Sequence, residues 1–525
     1  MKKLLVLLIS VLIIFSVIPF SASATEFNLP ETTPLIVKEA ILNGDITGTT
    51  PIRNLQICDK IYNAFKNFET TVDLSEFRIF WSDEGKAVID NCLLYVIGLP
   101  EMSQIYKYLD LKNYSFKGLS INNTAYFTEI VFSYLPNTTN GIFDKELALS
   151  QVSEYEELVS EIIDTMPKNI SNLEKLIYLH DYLAVNYEYT PDGEAYIYNS
   201  YDFLKNKRGV CDAYSRTYLY LLKKAGIPAM RALSNEGNHS WNIVSLDGEY
   251  YHVDVTWADP VPNREGMVSH EYFLLSDNAL THLDNTSHIN WYVQEADVFS
   301  LNNFHCTSTK FDNGYVWDNT DKKFCFYNGE YYYIENTSWY RYETINGNRY
   351  LTDYEISAEI KKTTDFKTAV TVKKVYSELW FDKNGTGYYI PDFHSGLHIV
   401  DNQIYFNDSK SIKYYDLQSG EIGTVLSVRN SNITGFNYVG NGTFNYTEFS
   451  VTGNAVNYTN KTFEIANLGN LLNKTASFAE VLVSMRKYIS DGKSLGLCLI
   501  NGDISGNDGK VDVRDLVALK KLAVM

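Results

Sequence analysis

Beyond residue 24 the chain has no apolar run approaching the roughly 18 residues that a membrane-crossing helix needs, so the mature protein is expected to lie outside the membrane. Cysteine is scarce: six in 525 residues, at positions 58, 92, 211, 306, 325 and 498. That density excludes a disulfide scaffold. Cys306 and Cys325 fall in a stretch where a bridge is open, but spacing alone does not establish one. The nine histidines include no HExxH and no paired Cys/His spacing, which argues against zinc. No glycine-rich phosphate loop follows a strand signal. Positive charge is in deficit, with 45 Lys and Arg against 64 Asp and Glu, a formal net charge of −19. Such a chain is a poor partner for nucleic acid or an anionic membrane surface, and its charge suits solubility and cation binding.

What is present begins with an export signal over residues 1–24. Lys2 and Lys3 precede the mostly apolar stretch Leu4 to Phe20, and Ala22-Ser23-Ala24 is a small-residue cleavage site. A secreted, extracellular protein is expected. No cysteine directly follows the apolar run, which argues against lipid anchoring.

The remaining chain divides by texture. Residues 25–150 mix signals. Asn54 to Phe68 has helical apolar spacing, whereas Cys92 to Ile97 and Thr128 to Leu135 read as strands. Residues 151–300 begin strongly helical, with Ser171 and Glu174 spaced as a capping box. Leu173, Leu176, Ile177, His180, Leu183, Ala184 and Tyr187 follow on one face, and His180 reads as a core histidine within that stripe. Residues 301–475 are aromatic short strands broken by turn dipeptides at Asn313-Gly314, Asn328-Gly329, Asn346-Gly347, Asn384-Gly385 and Asn441-Gly442. Leu397 to Val428 resembles a β-propeller blade and Lys323 to Tyr342 a weaker copy, leaving a partial propeller and an irregular β-sandwich both open. The abundant tyrosines, 41 in all, read first as strand packing and second as a sugar- or peptide-binding surface.

The chemistry concentrates between Arg208 and Pro260. After Gly209, Tyr214, Tyr218, Leu221, Leu222 and Ala225 mark one helix face, with Gly226 as the C-cap and Pro228 beyond. Cys211 therefore sits in the first turn, where free N–H groups and the helix dipole stabilise a thiolate and can face an oxyanion. With Cys211 free, five cysteines remain, which cannot all pair within one chain. Asp247-Gly248 predicts a two-residue hairpin turn between His239–Leu246 and Glu249–Trp257. With Leu246 opposite Glu249, His239 falls opposite Thr256 and Asp254 lies diagonally on the same face, about 7–8 Å away at Cα and within reach of a histidine–carboxylate bond. Cys211 as nucleophile, His239 as base and Asp254 as orienting acid then form a triad suited to acyl transfer through a thioester. Asp212 reads as a helix N-terminal charge, and Asp259 as a turn residue with Pro260.

Gly-Val-Cys-x-x-Tyr-Ser, His-Ser-Trp-Asn and Val-Asp-Val-Thr-Trp resemble the three motifs of the transglutaminase-like superfamily, over roughly residues 165 to 280. The resemblance implies a papain-like core with Cys211, His239 and Asp254 in those roles, and it assigns Tyr201 a supporting part at the oxyanion site. The run from Asn501 to Met525 resembles one repeat of a type I dockerin, which implies Ca²⁺ held by Asp503, Ser505, Asn507 and Asp515 and docking to a cohesin scaffold. Asp503 to Asp515 spans one residue more than the usual loop, and no acidic loop precedes the first-repeat-like helix at Ala479 to Ile489.

The expected protein is multidomain α+β. A transglutaminase-like catalytic domain (151–300) follows an N-terminal α+β region (25–150). An antiparallel β-rich, propeller-blade-like region (301–475) and a short helical dockerin-like tail (476–525) come after it. The expected activity is cysteine-dependent attack on peptide amides, with hydrolysis favoured over transamidation. The alternative is a non-catalytic extracellular binding protein on the same fold.

Overall fold

The computed structural model describes Thr33 and residues 49–464 apart from 191–196, 262, 264–265, 294–304, 337–338, 356, 377–396, 401, 409, 441–442 and 453–454. The export signal, Asn384-Gly385, Cys498 and the tail with Asp503, Ser505, Asn507 and Asp515 lie outside the described residues.

The chain opens with helix α1 (Thr49–Lys66), strands β1 (Thr71–Asp73) and β2 (Ile79–Phe80), helix α2 (Asp83–Gly98) and the hairpin β3 (Ser115–Ile121) and β4 (Thr124–Val131). The expected helix at Asn54 to Phe68 is α1. Cys92 to Ile97, expected as a strand, is the last half of α2. Ser82 caps that helix by accepting from Gly85 N, so the apolar run is simply the buried end of an element begun nine residues earlier. Thr128 to Leu135 is a strand only as far as Val131.

Helices α3 (Lys145–Thr165) and α4 (Asn172–Asn186) follow, the second opened by the expected capping box of Ser171 and Glu174. Strand β5 (Glu188–Tyr189), helix α5 (Ser200–Asn206) and strand β6 (Arg208–Gly209) lead into α6 (Cys211–Ala225). An antiparallel sheet then forms from β7 (Ala229–Ser234), β8 (His239–Leu246), β9 (Glu249–Val253), β10 (Phe273–Leu275) and, after helix α7 (Asp277–Leu283), β11 (Tyr292–Val293), in the order β10-β9-β8-β7-β11. Both faces are covered. Met230, Ala232, Trp241 and Ile243 share a core with α1 and α2, while Val244, Leu246, Tyr251 and Val253 share one with α4 and α6. This two-sided burial leaves every residue of β8 after His239 buried, the polar Ser240, Asn242 and Ser245 included.

The β-rich region is three antiparallel sheets stacked in series. The first contains β12 (Cys325–Tyr327), β13 (Glu330–Asn336), β16 (Ser357–Thr363) and β17 (Val370–Tyr376), with the separate hairpin β14 (Trp339–Ile345) and β15 (Asn348–Glu355) inserted between β13 and β16. The second is β18 (His398–Val400), β19 (Gln403–Asn407), β20 (Ser411–Asp416) and β21 (Ile422–Ser427). The third is β22 (Asn432–Gly440), β23 (Thr443–Thr452) and β24 (Ala455–Glu464). Alternation directs the stacking: Tyr331 and Tyr333 face the helical core, while Tyr332 and Ile334 meet Ile404 and Phe406 of the second sheet. Tyr405 points the other way, to Phe436, Phe444 and Phe463 of the third. Asn328-Gly329 and Asn346-Gly347 are hairpin turns as expected, and Gly440 opposes Thr443 across the third. Asn313-Gly314 instead enters a one-turn helix at Tyr315–Asp318. Cys306 and Cys325 are free thiols buried in separate cores.

Gly209 fixes where α6 begins. It pairs in parallel with Tyr189. A Cβ there would meet Phe203 Cδ2 at 2.7 Å, Ala213 Cβ at 3.0 Å and the Ile197 carbonyl oxygen at 3.1 Å. Gly209→Ala is therefore expected to destabilise the protein by about 1–3 kcal/mol through overpacking, read by urea denaturation. It should also slow alkylation of the adjacent Cys211.

Candidate active site

Cys211 is the first residue of α6 and half-buried. Val210 precedes it as the N-cap with no side-chain bond, so the first-turn N–H groups carry no side-chain cap. Gly226 closes the helix at φ 77°. The β8–β9 hairpin turns as expected through Asp247 and Gly248, both with positive φ (56° and 82°), as a type I′ turn requires.

The register holds from Leu246↔Glu249 to Asn242↔Val253 and then stops. His239 therefore has no partner at Thr256, and Asp254 leaves the ladder, its N–H bonding to Tyr272 O. The cause is local. Asp254 Oδ1 accepts from the backbone N–H groups of Thr256 (2.8 Å) and Trp257 (3.3 Å), closing a turn in place of further strand. The two side chains meet all the same, with His239 Nε2 donating to Asp254 Oδ2 at 2.5 Å. The Cys211 thiol is close enough to the same imidazole to help raise it, and Nδ1 is the ring nitrogen that Asp254 does not take.

Burial by itself would push the His239 imidazolium down. The charge of Asp254 and the bonds to Asp254 and Cys211 outweigh it and raise the group from 6.5 to about 10. Burial likewise raises the Asp254 carboxyl, but His239 and His288 reverse this and hold it well below the usual carboxylate range. The pair is thus an imidazolium beside a carboxylate at neutral pH. Trp241 stacks on His239 at 5.7 Å, and Trp257, 40% exposed, stands edge-on to it at 6.3 Å.

His288 is the main residue missed from sequence. Its Nε2 lies 2.9 Å from Asp254 Oδ2 and its Nδ1 2.8 Å from Asp284 Oδ2. It stands 34 residues beyond Asp254 in no motif, so no sequence signal marked it. A second unmarked support runs from Trp241 Nε1 to His252 Nδ1 (3.0 Å) and from His252 Nε2 to Asp277 Oδ1 (2.9 Å).

The other sequence candidates have different surroundings. The Tyr201 hydroxyl donates to Glu154 (2.5 Å) and accepts from Lys205 (3.0 Å), and among the described residues it makes no hydrogen bond to Cys211, His239 or Asp254. Asp212 is held by Arg216 (2.7 Å) and Arg231 (2.8 Å). Asp259 accepts from Tyr189 N and the Tyr214 hydroxyl, and burial pushes its carboxyl up to about 7 against those bonds. His180 is buried with Nδ1 on Asp181 (2.9 Å), while its Nε2 has no partner among the described residues.

Three groups have ligand atoms close enough to share a metal ion: His180, Asp181 and His270; His239, Asp254 and His288; and His252, Asp277 and Cys306. In the last, the Trp241 indole donates to His252 Nδ1, so Nε2 carries the proton that faces Asp277 and has no lone pair to offer.

Replacing Asp254 with Asn removes the charge that raises His239. A raised cationic group stabilises the fold fully below its unfolded value, about 6.5, and that contribution is lost as pH rises through about 10. The stability difference between wild type and Asp254→Asn should therefore shrink from pH 6 to pH 10 in urea titrations, and His239 should titrate closer to 6.5.

Residues 157–255 match the model of the transglutaminase-like superfamily. Among curated proteins, the kyphoscoliosis peptidase of Mus musculus is 23% identical over 162 residues, covering 26% of this chain and 24% of that one. The Homo sapiens protein of the same name is 22% identical over 161 residues. The chain thus spans about a quarter of the length of these relatives. Among solved structures, a TGase overlays with TM-score 0.18 at 15% identity, covering 34% of this chain and 49% of that one. A candidate cysteine protease from Cytophaga hutchinsonii overlays with TM-score 0.18 at 12% identity, covering 53% and 86%. At those scores the overlays add nothing to the reading of the site. Motifs and family match agree that residues 157–255 are similar to the transglutaminase-like superfamily.

Proposed function

We propose that this chain is a cysteine-dependent enzyme that cleaves peptide or protein amide bonds through a thioester, with Cys211 as nucleophile, His239 as proton carrier and Asp254 as its orienting carboxylate. One observation carries the reading. A half-buried thiol at a helix N-terminus adjoins an imidazole whose other nitrogen is held by a buried carboxylate. With the thiol proton held on His239, the Cys211 sulfur attacks the amide carbonyl carbon as the thiolate, and first-turn N–H groups of α6 face the developing oxyanion. His239 gives its Nδ1 proton to the leaving amine as the C–N bond breaks, while Asp254 holds the tautomer. The neutral imidazole then takes a proton from water as water attacks the thioester, releasing the acid and restoring the Cys211 thiolate beside the His239 imidazolium. Trp257 supplies an exposed apolar wall beside His239 for the substrate flank.

Water is the default acceptor at an open extracellular site, which favours hydrolysis over transamidation. The peptidase name of the mouse and human relatives agrees with that choice. The division at 25–150, 151–300, 301–475 and 476–525 is the proposed organisation. Serial stacking of three sheets supports a blade-like accessory region. We also propose, on sequence alone, export through residues 1–24, Ca²⁺ binding by Asp503, Ser505, Asn507 and Asp515, and docking of the tail to a cohesin-type scaffold.

Incubating the protein with a peptide library and a primary amine separates cleavage from transfer. Cleaved products are expected, with activity down at least about 10³-fold in Cys211→Ala. Thiol-probe labelling near neutral pH should disappear in that variant and weaken in His239→Ala. A Cys211 that does not label, in a protein with no turnover, would leave the non-catalytic binding protein as the reading. For the tail, Ca²⁺ should increase helicity and protease resistance, and unchanged circular dichroism and digestion would discard the calcium site.

A further inference from the structure

Asp254 accepts from two imidazoles. His288, in the segment after α7, has a fully buried ring. Its Nε2 reaches the same Asp254 oxygen as His239, at 2.9 Å, and its Nδ1 reaches Asp284 Oδ2 at 2.8 Å. A carboxylate oxygen only accepts, so both ring nitrogens are placed to donate. Asp284 is itself fixed as an acceptor by the N–H groups of Thr286 (2.8 Å) and Ser287 (3.0 Å) and by the Thr286 hydroxyl (2.6 Å). The ring plane is held by stacking on Tyr272 at 5.3 Å and by Trp241 edge-on at 4.6 Å.

We infer that His288, made a double donor by Asp284, is a positioning residue for the Asp254–His239 pair. This inference rests on the catalytic reading above. Oδ1 of Asp254 is taken by Thr256 and Trp257, so His288 completes the restraint on Oδ2 and the carboxylate has no free rotation. Acceptors and donors alternate along Asp284, His288, Asp254 and His239. A buried carboxylate can stay ionised in such a row, and the imidazole it orients keeps one tautomer and one direction toward Cys211. The titratable groups around Asp254 are His239 from β8, His288 and Asp284 after α7, Tyr272 ahead of β10 and His180 of α4. Of these, only His239 and His288 bond to it.

The test compares the full-length protein with His288→Phe, which keeps an aromatic ring but no donor, and His288→Gln, which can offer one neutral donor to Asp254. In His288→Phe, kcat should fall about 10–100-fold with KM within about twofold, as when a buried outer partner is lost. The acid limb of Cys211 alkylation by iodoacetamide should move up by about one to two pH units, because the Asp254 carboxylate loses a donor. His288→Gln should recover about tenfold of the lost kcat. An unchanged kcat and acid limb in His288→Phe, or equal losses in both variants, overturns the inference. Nitrogen-15 histidine spectra of the wild type decide independently of turnover. One histidine besides His239 should show both ring nitrogens protonated at pH 7, lost in either His288 variant and perturbed in Asp284→Asn. A singly protonated His288 overturns the inference, whereas a doubly protonated His288 in a protein without turnover supports it and instead sinks the catalytic reading.

Discussion

A carboxylate with 1% of its side chain exposed has given up its hydration, and that loss costs several kcal/mol unless donors replace the water. Four donors converge on Asp254: two imidazole nitrogens on Oδ2 and two backbone N–H groups on Oδ1. They come from β8, from the segment after α7 and from the turn after β9. Satisfying this one group therefore fixes three parts of the domain relative to one another. It ends the β8–β9 ladder at Val253, and it brings His239 to the end of its strand beside the first turn of α6.

The same group explains which parts of the site were legible in the sequence. Helix phase put Cys211 in the first turn of α6, and Asp247-Gly248 set the hairpin parity, because both are short-range and carried by residues with one dominant conformation. The pairing of His239 with Thr256 failed for an equally physical reason. A strand continues only while nothing competes for its N–H groups, and the Asp254 side chain takes two of them. The shared face survived because the ladder broke beyond Val253, after parity had been set. His288 was invisible, since its position depends on α7 and on Asp284, a tertiary arrangement with no local periodicity. Cys92 to Ile97 misled for another reason. A mostly buried helix end, here with Leu94 alone of Cys92 to Ile97 exposed, and a buried strand are both continuous apolar runs, and the cap at Ser82 distinguishes them.

The tyrosine-rich half follows a simpler rule. In Glu330 to Asn336, successive aromatic residues alternate between two cores, Tyr331 and Tyr333 toward the helices and Tyr332 toward the next sheet. A strand covered on both faces needs large side chains at odd and even positions alike, and tyrosine provides area with a polar tip that can reach an edge. The composition that suggested a binding surface is thus, over these strands, a consequence of stacking sheets in series.

The molecule contains a second buried carboxylate with two histidines, and comparing the two separates a joint from a site. Asp181 binds His180 and His270, is drawn down to about 2 by them against its burial, and accepts from Phe324 N at the start of the β-rich region. Its donor set therefore ties the helical core to the first sheet. All three side chains are sealed, and the thiol that senses its charge, Cys325, donates to the Leu397 carbonyl while burial pushes it up to about 12. A protonated, sequestered thiol is inert. Asp254 uses the same histidine–carboxylate chemistry, but its row ends beside a half-buried thiol on a helix N-terminus without a side-chain cap, with an exposed tryptophan edge-on to His239. Histidines on a carboxylate do not make a reactive centre by themselves, since Asp181 has them too. What distinguishes Asp254 is that its row of hydrogen bonds ends beside a half-buried thiol at a helix N-terminus.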